Sequence, residues 1–173
     1  MSLCARRPRN LFLALAVLVM CALSSAVQAD HHAASASDGT PASPKDFAVM
    51  YGEASASFSA EAVASFYGET VVSIAHTGTM RTMAGKPQQV AELAGFYTAL
   101  GERGITSLNL ADYTVIELSN EFALSRMRWE LADSSGAVRN TVMSTYVIRR
   151  EAPGWRVVSI LEMGRPTPPA RLE

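Results

Sequence analysis

Residues 121–163 constrain the fold more than any other part of the chain. Three long runs follow one another there: Glu121–Asp133, Val138–Arg150 and Trp155–Met163. Large and charged side chains alternate along all three. Successive side chains of a strand point to opposite faces, so a period of two predicts a sheet with two unlike faces. Asp133-Ser-Ser-Gly136 and Glu151-Ala-Pro-Gly154 separate the runs, each with a glycine where a positive φ is expected. The three runs are therefore predicted to pair antiparallel, in chain order.

The segments upstream read differently. Ser43 is a plausible N-cap with Pro44 at the first helical position. Phe47, Met50, Tyr51, Ala54 and Phe58 follow at helical spacing and form one apolar stripe. Ser59 caps a second short helix, expected to run through Tyr67 and to stop at Gly68. Thr70–Ala75 is β-branched and reads as a strand, with a return strand over Met80–Met83. Gly85-Lys86-Pro87 opens a third helix whose buried face is Val90, Leu93, Ala94, Tyr97 and Leu100. Leu108–Leu118 is a further strand. Helices at one end and strands at the other predict an α+β domain, with a strongly curved sheet wrapped around the helices.

The first residues carry an address. Arg6, Arg7 and Arg9 precede an unbroken apolar run of 13 residues, Leu11–Leu23, and Val27 and Ala29 stand where a signal peptidase needs small side chains. That run is short of the roughly 20 residues a helix needs to cross a bilayer. Residues 1–29 are read as a signal peptide, with cleavage after Ala26 as the alternative, and the chain as exported, periplasmic or secreted. Met20 before Cys21 speaks against lipid attachment, so no stable membrane anchor is expected after cleavage. Removal of residues 1–29 takes three of the 15 basic residues and none of the 16 acidic ones, leaving 12 against 16. It also takes Cys4 and Cys21, the only cysteines. The mature chain then has no disulfide and no thiolate chemistry. A mildly acidic chain without a basic cluster is not expected to bind nucleic acid. Residues 30–43, rich in Ala, Ser, Gly and Pro, are expected to form a disordered leader, 44–164 the folded domain, and 165–173 a flexible tail.

Certain landmarks carry a family resemblance. They are Phe66-Tyr67-Gly68-Glu69-Thr70-Val71-Val72, Gly85 before the third helix, and Tyr146-Val-Ile-Arg-Arg followed by Gly154-Trp155-Arg156-Val157. With the element order, they resemble the nuclear transport factor 2-like superfamily, which includes SnoaL-like cyclases and ketosteroid isomerases. The resemblance implies a cone-shaped α+β barrel. It selects no reaction, because the fold hosts isomerases, cyclases, dehydratases and transport adaptors. Ketosteroid isomerase-like members carry a general-base carboxylate on the first short strand after the second helix. The matching stretch, Val72-Ser73-Ile74-Ala75-His76, has no acid.

The candidate residues follow from this frame. His76 is the only histidine of the folded region and the one group there suited to proton transfer near neutral pH, with Arg81 across the turn. Without a visible Asp or Glu to orient it, the plainer reading is a solvated residue at a strand end. Arg126, Arg128 and Glu130 alternate with Met127, Trp129 and Leu131, and which set faces the interior is open. Tyr51, Tyr97, Met127, Trp129, Met143 and Tyr146, with His76 and Arg81, are the expected lining of a pocket for a small, partly apolar molecule. No cofactor motif is present, and no metal site is expected except one. Asp30, His31 and His32 would form a square-planar nitrogen site for copper or nickel if cleavage falls after Ala29. The preferred reading is a non-catalytic or accessory binding protein, with a homodimer through the outer sheet face. A cofactor-free isomerase, cyclase or hydrolase using His76 stays open, as does a protein-interaction module with a filled cone.

Overall fold

The computed structural model describes residues 39–163. The signal segment, Asp30-His31-His32 and the tail at 165–173 lie outside the described residues. The elements are α1 (Pro44–Ala56), α2 (Ala60–Ala64), β1 (Tyr67–Ile74), β2 (Met80–Ala84), α3 (Gly85–Glu102), β3 (Ser107–Glu117), β4 (Phe122–Ala132), β5 (Val138–Glu151) and β6 (Gly154–Met163). They form one six-stranded sheet in the order β2-β1-β6-β5-β4-β3. Among the described residues only the β1–β6 pair is parallel. The sheet curves and the helices pack on its concave side, so the α+β architecture is observed.

Local chemistry sets the helix starts. The Ser43 side chain accepts the Asp46 backbone N–H at 3.1 Å, and the Asp46 carboxylate accepts the Ser43 N–H at 3.0 Å. This reciprocal cap satisfies two donors that the first turn leaves orphaned, while Pro44 has none to satisfy. Ser59 caps α2 in the same way, accepting from Ala62 N at 3.1 Å.

The second helix is shorter than its sequence suggests. It stops at Ala64, and Tyr67 already belongs to the sheet. Val157 N donates to the Phe66 carbonyl at 2.8 Å, and Tyr67 pairs with Val157 across β1–β6. Two side chains of α3 hold this transition. Lys86 Nζ donates to the carbonyls of Ala64 (2.5 Å) and Tyr67 (2.6 Å), and Gln89 Nε2 donates to that of Gly68 (2.7 Å). They supply donors to carbonyls that a helix end leaves unpaired.

Residues 39–43, inside the stretch read as leader, are packed on the domain. Within residues 39–43, Pro41 is fully buried and its carbonyl accepts from Trp155 N at 3.4 Å. A Cβ at Gly154 would lie 2.4 Å from Thr40 Cγ2 and 2.6 Å from the Pro41 oxygen. Gly154 therefore provides room for the incoming chain rather than the expected positive φ. The expected positive φ is found at Gly136, at +81°.

The strand parity resolves the open question of orientation. Ala123, Ser125, Met127, Trp129 and Leu131 are buried beneath the helices. Arg126 is exposed, and Arg128 bonds Glu130 at 2.9 Å on the other face. Burying three charges would cost far more than such a pair returns, whereas burying Met127, Trp129 and Leu131 contributes apolar surface to the core.

Candidate functional site

Tyr51 is the hub of the concave face. Helical spacing puts it one turn after Phe47, and their rings stack at 5.3 Å. Its ring also meets Phe66 at 5.8 Å, Trp129 at 6.1 Å and Tyr146 at 5.0 Å, all edge-on. Tyr67 stacks on it at 6.5 Å, and the two hydroxyls are 3.4 Å apart. Tyr146 stands opposite Ser125 on β4 and Ile160 on β6, which places it on the same face. Tyr97 of α3 closes over this group and packs on Phe58 at 4.9 Å.

These phenols are held neutral. Burial pushes the Tyr51 hydroxyl well above its ordinary value, and its phenolic neighbours Tyr146 and Tyr67 add to the shift. Burial raises Tyr67 likewise. It raises Tyr146 too, partly offset by hydrogen bonds with the side chains of Tyr51, Ser144 and Trp129. Tyr97 is pushed up to about 12 by burial and by Tyr146. A phenol that cannot ionise remains a hydrogen-bond donor throughout the physiological range. The Ser125 hydroxyl is buried on this face without a hydrogen-bond partner. An unpaired buried polar group costs about 1–3 kcal/mol, so the floor of the concave side holds unused hydrogen-bonding capacity.

Of the residues expected in the pocket, Tyr51, Tyr97, Met127, Trp129 and Tyr146 share the concave side and are buried. Met143 does not join them. It pairs with Arg128 on β4, one residue out of phase with Ser144, and lies on the outer face. Arg81 is on the concave parity, opposite Ser73, but its side chain is 72% exposed and faces Glu92 of α3 at 3.6 Å. His76 sits in the exposed β1–β2 turn, and among the described residues no hydrogen bond or ion pair engages it. Two members of the site escape sequence reading. Tyr67 is concealed as the presumed last residue of α2. Glu162 is concealed by a bulge: β6 advances two residues, Val157 to Ser159, while β5 retreats one, Ile148 to Val147. Simple alternation from Val157 would turn Glu162 outward. The bulge turns Ile160 and Glu162 to the concave side, where Glu162 stands opposite Ser144 and accepts from Ser73 Oγ at 3.4 Å.

Among the described residues no three His, Cys, Asp or Glu side chains gather as a metal site, and no helix is long and apolar enough to cross a membrane. A shallow groove of about 590 Å³ beside the β5–β6 turn is lined by Pro41, Glu121, Arg150 and Pro153 among others, and is separate from the tyrosine cluster.

The family model described as NTF2-like protein (DUF6841) matches residues 45–164. The chain belongs to this family. Solved structures agree on the fold of this NTF2-like domain. An NTF2-like protein with a cystatin-like fold from Novosphingobium aromaticivorans is 22% identical, with a TM-score of 0.56 over 72% of this chain and 81% of that one. A putative calcium/calmodulin-dependent protein kinase type II association domain from Thiobacillus denitrificans is 17% identical, with a TM-score of 0.54 over 72% and 98%. A putative aromatic ring hydroxylase from the same Novosphingobium species is 17% identical, with a TM-score of 0.50 over 71% and 87%. Three such different descriptions on one scaffold carry the fold alone. Among curated proteins, none matches the sequence.

Proposed function

We propose that this NTF2-like domain is an exported, non-catalytic or accessory protein that holds a small, partly apolar molecule against its concave face. One observation carries the reading. The Tyr51, Tyr67 and Tyr146 hydroxyls lie within an aromatic shell on the same face as the buried Ser125 hydroxyl, which has no partner. A core built for stability alone avoids such unpaired groups, and apolar pockets with a few convergent polar groups are the usual form of a small-molecule site. A ligand oxygen placed there would satisfy it. The reading is tested by native mass spectrometry of the chain purified from a host that exports it. A co-purifying mass lost on Tyr51→Phe and Trp129→Phe substitution supports it. A bare chain whose Trp129 indole resonance responds to no ring compound would leave the interaction module with a filled cone instead. The isomerase, cyclase or hydrolase reading with His76 as base is less well supported, since no hydrogen bond or ion pair among the described residues orients that imidazole.

A second proposal concerns the outer face of the sheet. Met80, Ile116 and Leu161 project there at 65%, 53% and 37% exposure, with Ile74, Leu124 and Val147 half-buried between them. An apolar face of this kind supports self-association into a homodimer. Sedimentation analysis would show a dimer that Leu161→Glu dissociates. A monomer at all concentrations would remove the proposal.

A further inference from the structure

The long edge of the sheet is open. β3 ends the strand order, pairs with β4 alone and runs for 11 residues. Leu118 N donates to the Phe122 carbonyl at 2.9 Å. Hydrogen-bonded pairs alternate with non-bonded ones along an antiparallel ladder. Ile116, Thr114 and Asp112, which pair with Leu124, Arg126 and Arg128, therefore also bond β4. Tyr113, Val115 and Glu117 fall between them, and their backbone N–H and C=O groups point away from β4. Among the described residues no strand pairs with that side of β3.

This edge lacks the usual guards. Proteins block such rows with lysine, proline or a covering segment. Residues 113–117 read Tyr-Thr-Val-Ile-Glu, with neither lysine nor proline. Tyr113, Thr114, Ile116 and Glu117 are exposed, and Val115 is half-buried. The register shift between Leu110 and Asp112 limits the open stretch at one end without covering it. The opposite edge is better defended. β2 has only five residues, its Arg81 reaches Glu92, and α3 follows it directly.

The open stretch is self-complementary. Lay it antiparallel on a second copy, with Val115 on the two-fold axis. Tyr113 then faces Glu117 of the other copy, Thr114 faces Ile116, and Asp112 faces Leu118. Every outward N–H and C=O of Tyr113, Val115 and Glu117 finds a partner in this register. A slip of two residues sets one of the three against the bulge at Ala111 or against the β3–β4 turn. Like charges do not stand opposite each other, and Val115 meets its own counterpart, a favourable β-branched pair. Tyr113, Ile116 and Leu118, exposed at 38%, 53% and 57%, all lie within the pairing.

We infer that the β3 edge is an interaction surface for a second copy of this chain, joined β3 to β3 in one continuous antiparallel sheet with Val115 on the two-fold axis. Backbone hydrogen bonds supply the attraction, and the side-chain pairs fix the register. The contact uses the rim of the sheet. It requires neither a ligand on the concave side nor a contact across the outer face.

The test is amide exchange by NMR of the full nitrogen-15-labelled chain at low and high concentration, with sedimentation in parallel. In a monomer β4 protects the amides of Thr114 and Ile116, and those of Tyr113, Val115 and Glu117 exchange fast. Edge pairing should slow the latter three by about tenfold or more on concentration, in step with the appearance of a dimer. Val115→Pro removes the donor on the axis from both copies and spares the ladder to β4, because an outward N–H is where an edge strand tolerates proline. It should abolish the dimer and the protection of Tyr113 and Glu117, while Thr114 and Ile116 stay protected. Glu117→Pro, at the strand end, should raise the dissociation constant about tenfold, and it carries the comparison if Val115→Pro does not fold. A dimer in which the three amides still exchange fast belongs to the outer face and overturns the inference. So do three amides that are fast at every concentration, or protection that survives proline substitution.

Discussion

Met127→Ala and Arg128→Ala, two neighbours on β4, should differ sharply in cost. Met127 has no exposed surface and lies in register between Tyr113 of β3 and Ser144 of β5. Truncating a buried methionine to alanine removes its transfer energy and leaves a cavity, together about 2–5 kcal/mol. For a domain of this size each kcal/mol lowers Tm by about 4 °C, so about 3 kcal/mol becomes a fall of about 12 °C. Arg128 is 37% exposed and pairs with Glu130 at 2.9 Å on the outer face. A pair so accessible to water contributes under about 1 kcal/mol, or a fall below about 4 °C. Circular dichroism melts of both variants, with urea midpoints as a second measure, give the comparison directly. Equal losses, or a larger loss for Arg128→Ala, would show that the faces are assigned the wrong way round.

Other perturbations follow from the same geometry. Gly154→Ala should cost about 1–3 kcal/mol in urea denaturation, because its Cβ meets Thr40 Cγ2 and the Pro41 oxygen, whereas Gly95→Ala, with nothing near, should be neutral or stabilising. Lys86→Met should cost about 1–3 kcal/mol by freeing the Ala64 and Tyr67 carbonyls, and exchange of the Val157 amide with deuterium should speed up. Asp133, whose carboxylate accepts from Ser135 and Ala137 and pairs with Arg139, is held down at about 2 mainly by the Ser135 hydroxyl. A depressed carboxyl stabilises the fold above its ordinary 3.8 and loses that contribution as pH falls toward 2, so Asp133→Asn should flatten the stability profile in that window. The buried phenols run in the opposite sense. With Tyr51, Tyr67, Tyr97 and Tyr146 raised above 10.0, their contribution is whole below that pH and lost as pH rises past it. Alkaline titration at 295 nm should show their ionisation only together with unfolding; phenolate absorbance from them in the folded state would contradict this.

Much of the fold was legible because its signals are local. Ser43 and Ser59 cap helices by bonding amides within three residues, and Gly136 turns a hairpin through its own φ. Alternation along β4 and β5 needs only neighbouring residues to be seen. The candidate site was half legible for the same reason. Tyr51 and Trp129 follow from period and size, whereas Met143 was grouped with them on chemistry although parity sets it on the other face.

The chain's own pattern thus establishes the α+β architecture, the helix starts and the two unlike faces of β4, since each depends on propensity and period within a few residues. Which face is concave, where α2 yields to β1, and that Glu162 joins Trp129 and Tyr146 depend on contacts between distant segments. Tyr67 is drawn into the sheet by Val157, and one bulge in β6 inverts every side chain after it. A slip of one residue has no local signature, because it is set by how strands from opposite ends of the domain fit together.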